Sequence, residues 1–428
     1  MLTSFIRKRL EAYVRRYFEK HPDIRLVAIV GSTDKAMTRQ AVGTVLARQF
    51  RVRLHEHHKG NSEFATPLAI LGIEMPENPH NPLAWLAVFR AARARIANNP
   101  DVDVIVQELT VRKPGDMQRF ASYLKPSIAI ITSVSAERLD VFGSVEEVAK
   151  EYLAVGDMAD LVIVNRDEVD SAYAEYEHNA NITTYGTSEV AEYWLETDDI
   201  YSHMGTPVEV YGPEIPGSLS LRVHLLGSHS LLSAVSAVVV ATKMGMSLEA
   251  IRDGLESVQT LPGRMNPLRG LSETLIIDDT YRAHPENAIH ALTTLYEFDA
   301  APQRIAVLSS IPDLGEHSQA EHARVGDMCS PDLLAWVIVV GEDAEKYLAP
   351  AARAKGCQVK VCRDAIEAAE FVRTVTERGA IILVEGASPA TYLEETTRIL
   401  CESSEESKLV RQGPIWRTQK DEVFSRFK

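Results

Sequence analysis

Two α/β units in tandem, each built on a mostly parallel sheet, are the fold this sequence predicts, and three observations carry the prediction. Short apolar runs alternate with segments of helical length from Leu26 to Asn165 and again from Thr274 to Val384, the rhythm of parallel strands joined by crossover helices. The first run, Leu26–Val30, leads into Gly31-Ser32-Thr33-Asp34-Lys35, a glycine-and-lysine turn of the kind that opens nucleotide-binding domains. Between the two series stands Leu261–Met265, LPGRM, where Pro-Gly breaks structure just before a new strand. The expected organisation is an N-terminal helix over residues 1–24, a central domain over 25–268 and a C-terminal domain over 269–428.

Taken in order, Met1–Asp23 has charges at nearly every turn and no continuous apolar core, which predicts an amphipathic helix rather than an export signal. Thr38–Phe50 reads as the helix that starts on the loop, and Val52–His55 as a strand. His55, His57 and His58 then cluster, but no carboxylate or cysteine pattern completes a metal site around them. Lys59–Pro67 is a polar loop ending in proline, and Leu83–Asn98 an alanine-rich helix. Val102–Leu109 and Ser127–Ser133 are further strands, followed by a helix over Val145–Val155 and a strand over Leu161–Asn165. A polar, β-leaning region runs to about Val223, and Gly227–Gly245 is a helix with small residues on one face. Past the break, strands are predicted at Thr274–Asp278, Arg304–Ser309, Ala335–Val340 and Ala380–Val384. Lys408–Lys428 is a charged tail containing Trp416.

Composition bounds the partners. With 428 residues, 45% hydrophobic and 25% charged, the chain has material for two or three domain cores. A formal net charge of -15 argues against nucleic acid or an anionic membrane. The apolar stretch Leu231–Val240 is too short to span a bilayer and is interrupted by Ser233 and Ser236. Cys329, Cys357, Cys362 and Cys401 lack CxxC spacing, so they read as reduced thiols of a cytoplasmic protein. A small-molecule or peptide ligand, and a protein partner or homo-oligomer, stay open.

The loop is where chemistry is expected. A phosphate-cradling loop needs glycines where the backbone turns with positive φ, a lysine for the charge and a hydroxyl for magnesium. Gly31, Ser32, Thr33 and Lys35 stand where such a loop wants them, but Asp34 replaces the glycine before the lysine, and Ala36 the hydroxyl residue after it. Ligands of parallel sheets gather at the carboxyl ends of strands, which puts Gly31–Lys35, Glu108 and Ser133–Arg138 along one edge.

These landmarks, in this order, resemble the Mur ligases of peptidoglycan synthesis from about Ile24 to Glu394, most of all the member that adds D-Ala-D-Ala. The family's GxxGKT is matched by GSTDK followed by Ala36, and its GN-containing loop ending in proline by Gly60, Asn61 and Pro67. Ile131-Thr132-Ser133 and Leu139–Ser144 resemble ITN…AHLE.FGS, with Arg138 where the family has a magnesium-binding histidine and Tyr152 in place of its carbamoylated lysine. GxHN appears as Gly227-Ser228-His229-Ser230, PGR as Pro262-Gly263-Arg264, and DDSYNANP as Asp278–Pro285. LGDMLELG…S…H…VG is matched by residues 308–326, and Glu385 stands where LVKGS has its lysine.

The resemblance implies a Mur-ligase-like P-loop-type central domain and a Rossmann-like C-terminal domain. Only the opening helix precedes the loop, so the family's UDP-sugar-binding domain is not expected. It also implies ATP and magnesium as cofactors, with Gly31, Ser32, Thr33, Lys35, His229, Arg264 and Asp279 toward the nucleotide and Glu108 toward the metal. Lys35, Glu108 and Arg138 are the residues that would act in forming an acyl-phosphate for an amine to attack.

Two functions follow. Asp34, Ala36, Arg138 and Tyr152 all change the region where phosphates and magnesium would sit, which favours a catalytically impaired relative with weakened ATP and magnesium sites that keeps the fold for binding or assembly. The alternative is an active ATP-dependent carboxylate–amine ligase with an altered substrate. If the site is closed from within, Asp34 and Arg138 should form a salt bridge, with Lys35 drawn to the same carboxylate.

Overall fold

The computed structural model describes residues 2–54, 63–197, 205–386 and 391–425. The opening segment forms one helix, Leu2–Lys20, because its apolar residues recur at helical spacing: Ile6, Leu10, Tyr13, Val14 and Tyr17 are all buried. They pack in one core with Leu26, Ala28 and Val30, so the helix covers a face of the first sheet.

That sheet has nine strands. They are β1 (Arg25–Val30), β2 (Val52–Leu54), β3 (Val104–Glu108), β4 (Ile128–Ile131), β5 (Val162–Asn165), β6 (Ile182–Gly186), β7 (Tyr193–Glu196), β8 (Thr206–Tyr211) and β9 (Leu219–Val223). The order is β2-β3-β1-β4-β5-β6-β7-β8-β9, parallel as far as β7 and antiparallel through β8 and β9. Central β1 is buried at five of its six positions, the signature of a strand covered on both faces, whereas β9 alternates buried and exposed. Its other face packs against the helices Lys35–Leu46 and Ser228–Lys243, which bury Val42, Val45, Val235 and Val239. Leu231–Val240 thus lies inside a buried helix, and among the described residues no helix is long and apolar enough to cross a membrane.

The second sheet comprises β10 (Asn266–Arg269), β11 (Leu275–Asp279), β12 (Arg304–Ser309), β13 (Trp336–Val340), β14 (Val359–Cys362) and β15 (Ile381–Glu385). Its order is β10-β11-β15-β12-β13-β14, parallel except for β10. The expected boundary at residue 268 falls inside β10, all four residues of which pair with β11. The helix after the loop starts at Lys35 rather than Thr38, because Asp34 in the left-handed region (φ 58°) turns the chain one residue before it. The terminal segment is more than a charged tail: Pro414–Phe424 is a helix, with Phe424 buried and Trp416 packed against the second sheet's core. The histidine cluster and Gly60-Asn61 lie outside the described residues.

Candidate functional site at the junction of the two sheets

The turn Gly31–Asp34 leaves the carboxyl end of β1 and is tied to the segment that leaves β4. Ser133 Oγ accepts the Thr33 N–H at 2.8 Å and meets Thr33 Oγ1 at 2.9 Å. Ser32 Oγ accepts the Ser135 N–H at 3.0 Å, and Thr132 Oγ1 donates to Thr33 O at 2.7 Å. Gly31 (φ 134°) is required here, since a Cβ would stand 2.2 Å from Thr132 Oγ1. Among the described residues the backbone N–H groups of Asp34, Lys35, Ala36 and Met37 have no hydrogen-bond partner, as at the start of any helix.

Lys35 does not reach outward. Its Nζ folds back to donate to the carbonyl oxygens of Gly31 and, at 3.0 Å, Ser32, and lies 4.0 Å from Glu137 Oε2. Glu137 is buried, accepts a hydrogen bond from the Tyr152 hydroxyl at 2.6 Å, and is met at 3.2 Å by the guanidinium of Arg282. Arg282 belongs to the turn between β11 and the helix Pro285–Tyr296, so the ion pair bridges the two sheets. Burial alone would raise the Glu137 pKa, but Lys35, Arg282 and the Tyr152 hydroxyl outweigh it and hold the carboxyl below its ordinary range. Burial pushes Lys35 down, against the opposing pull of Glu137. His284, buried beside Arg282, is pushed down to about 3 by desolvation and then by that guanidinium, so it is neutral.

The remaining predicted residues surround this cluster. Glu108, at the end of β3, is paired with the buried Arg39 at 3.1 Å. Arg138 adopts φ 50°, and its Nε is buried with no hydrogen-bond partner among the described residues. The expected Asp34–Arg138 salt bridge is not formed. A left-handed turn carries Asp34 into electrostatic reach of His229, Glu168 and Asp279 instead, and the carboxylate beside Lys35 is that of Glu137. His229 opens the helix Ser228–Lys243, stacks on His290 at 5.2 Å and is lowered to about 4 by burial. His290 in turn faces Glu168 at 3.4 Å, a second contact between the two halves.

On the second sheet, the Arg264 guanidinium lies 4.3 Å over the Tyr281 ring, and Asp279 accepts the Met265 N–H at 3.2 Å. Asp279 and Glu385 are register neighbours on β11 and β15, both buried, and among the described residues Glu385 Oε1 has no hydrogen-bond partner. Burial raises Asp279 to about 7 and Glu385 well above the carboxylate range, the neighbouring acid adding to the Glu385 shift. The loop residues, Lys35, Glu108 and Arg264 therefore share one electrostatic neighbourhood, since Lys35 feels both of the latter. Glu137, Arg282 and Arg39 were not foreseen. Arg282 and His284 stand where DDSYNANP has its two asparagines, and that double change toward basic residues was the available signal.

Two family descriptions match the chain: Mur ligase middle domain over residues 58–241, and Mur ligase, glutamate ligase domain, over residues 263–388. The chain belongs to the Mur ligase family. The matched middle domain begins past Gly31–Lys35. UDP-N-acetylmuramoyl-tripeptide–D-alanyl-D-alanine ligase of Escherichia coli K12 is 22% identical over 383 residues, covering 89% of this chain and 77% of that relative. The crystal structure of MurF from Acinetobacter baumannii superposes with a TM-score of 0.73 at 22% identity, covering 92% of this chain and 80% of that one. MurF from Thermotoga maritima, solved in complex with ADP, gives 0.69 at 20% identity over 91% and 83%. This member of the family thus shares the MurF fold.

Proposed function

We propose that this Mur ligase relative is impaired in ATP-dependent ligation because its own carboxylate, Glu137, stands at the phosphate lysine, and that the fold is kept for binding a ligand or assembling with a partner. The observation that carries the reading is the buried Glu137, with Lys35, Tyr152 and Arg282 converging on it from three segments. A lysine that bridges the carbonyls of its own loop beside a buried carboxylate has little charge left for an incoming phosphate.

Magnesium fits the same place poorly. Ala36 supplies no hydroxyl, Arg138 puts a guanidinium where the family has a histidine ligand, and Glu108 already neutralises Arg39 at 3.1 Å. The Arg39 guanidinium on Glu108 disfavours a divalent cation there by like-charge repulsion. We therefore assign no step to magnesium or to a nucleotide.

The second reading, an active carboxylate–amine ligase, has one observation in its favour: the open N–H groups of Asp34–Met37 are suited to an anion at a helix start. A phosphate-release assay with ATP, magnesium and a panel of small carboxylates and amines separates the two. The impaired reading expects no release above the protein-free control. Turnover of about one per second or faster, within the ordinary range of enzymes, would overturn it.

A further inference from the structure

Charge in this acidic chain is segregated. The helix Leu2–Lys20 carries six lysines and arginines against Glu11 and Glu19, and the helix Pro82–Ala97 carries three arginines and no carboxylate. By sequence they hold a net +7 against -22 for the rest of a chain whose total is -15, though Arg7 is paired with Glu63 at 2.7 Å and Arg95 with Asp101 at 2.8 Å. The two helices lie side by side and run parallel. Arg93 Nε donates to Tyr13 Oη at 3.3 Å, Lys20 Nζ to Ala97 O at 3.2 Å, and the Tyr13 and Phe89 rings are 6.0 Å apart.

This register brings their N-terminal ends together. Arg9, between the helices, lies 5.7 Å from the Phe5 ring centroid and 4.9 Å from that of Phe89. Three bulky apolar side chains stand in solvent at that end: Phe5 at 55% exposure, Leu83 at 71% and Leu86 at 61%. Behind them Lys8, Arg15, Arg16 and Arg90 are exposed and, among the described residues, form no ion pair. Glu11 is turned inward toward Arg7 and Arg119, 3.8 Å from each.

We propose that this two-helix face is a docking surface for an anionic lipid bilayer, with Phe5, Leu83 and Leu86 entering the headgroup–acyl boundary and the cations lying among the headgroups. Net charge predicts avoidance of such a surface, but Lys8, Arg15, Arg16 and Arg90, exposed and without an ion pair among the described residues, make this face locally basic. Self-association through the same patch would set the exposed cations of one copy against those of the other. Leucines and a phenylalanine at the tip with arginines behind form the interfacial pattern, in which guanidinium groups stay in water while apolar groups insert. Each exposed cation contributes roughly fivefold to partitioning on an anionic leaflet.

The test is co-sedimentation of the full chain with vesicles of phosphatidylcholine containing about one-third phosphatidylserine, against phosphatidylcholine alone, at ~0.05 M salt. Binding to the anionic vesicles only is expected, reduced at least about 25-fold in Lys8→Glu/Arg90→Glu and several-fold in Leu83→Ser/Leu86→Ser. Arg353→Glu/Lys355→Glu makes the same charge change on the second domain's surface and should bind like the natural chain. All three pairs alter exposed side chains, so an unchanged thermal midpoint certifies folding. No binding to anionic vesicles, or equal weakening in the control pair, overturns the proposal. Capture of soluble polyglutamate without vesicle binding would reassign the face to an acidic polypeptide.

Discussion

Glu137→Gln removes one negative charge, preserves the side chain's size and keeps an acceptor for the Tyr152 hydroxyl. Arg282 at 3.2 Å and Lys35 at 4.0 Å each lose an attraction of about 4–5 kcal/mol at an effective dielectric of 20, before desolvation is set against it. Breaking a buried pair by removing one partner costs about 3–5 kcal/mol. Arg282 keeps 30% side-chain exposure and water can solvate it, so the lower end applies, roughly 3 kcal/mol. For domains of this size that lowers the thermal midpoint by roughly 6–12 °C. The two cations left behind should also bind an added anion, so pyrophosphate should raise the variant's midpoint and barely move that of the natural chain. Differential scanning fluorimetry with and without pyrophosphate reads both effects. Equal midpoints, or equal responses to pyrophosphate, would refute the assignment of Glu137 as the internal counter-ion.

Among the described residues Asp34 makes no ion pair, and its φ of 58° is one that glycine adopts freely, so Asp34→Gly should change stability by less than about 1 kcal/mol in a denaturant titration. Arg411 bridges Glu394 (2.9 and 3.0 Å) to the backbone of Thr280 and Tyr281 within a buried network completed by Lys420; Arg411→Ala should cost about 3–5 kcal/mol, and a loss under about 1 kcal/mol would mean the network is dispensable. Asp279 and Glu385 have folded pKa values raised above their unfolded ones, so the folded state binds extra protons and loses stability as pH rises through about 7. Glu385→Gln should therefore stabilise the protein at pH 8 by more than it does at pH 5, and a pH-independent difference would contradict the buried acid pair. His284 has the opposite sign: with a folded value of about 3 against 6.5 unfolded, its contribution is present above 6.5 and is lost as pH falls toward 3, so replacing it with Gln should flatten the midpoint's decline over that window.

Strands buried on both faces were legible because they read as unbroken apolar runs; β1, β12 and β13 lie within a residue of where their sequences place them. Edge strands were not. β10 contains Pro267 and pairs on one side only, and β14 is half-buried along three of its four residues, so neither offers a clean period. The loop and Glu108 came from glycine-lysine chemistry and the carboxyl ends of parallel strands, Arg264 and Asp279 from resemblance, and Lys35 lies in the electrostatic reach of Glu108 and Arg264. Glu137 could not be found by spacing, because its partners lie at positions 35, 152 and 282 and only the fold brings them together. Asp34 looked like the internal anion because it adjoins Lys35 in sequence, but the left-handed turn sends it toward His229 and Glu168.

The central claim is that Glu137 holds the lysine a phosphate would need. Calorimetric titration of the natural chain with ATP and magnesium tests it most directly. A dissociation constant weaker than about 1 mM is expected, equivalent to less than about 4 kcal/mol of binding free energy. A micromolar constant would contradict it, since that affinity requires Lys35 to leave Glu137 for the nucleotide.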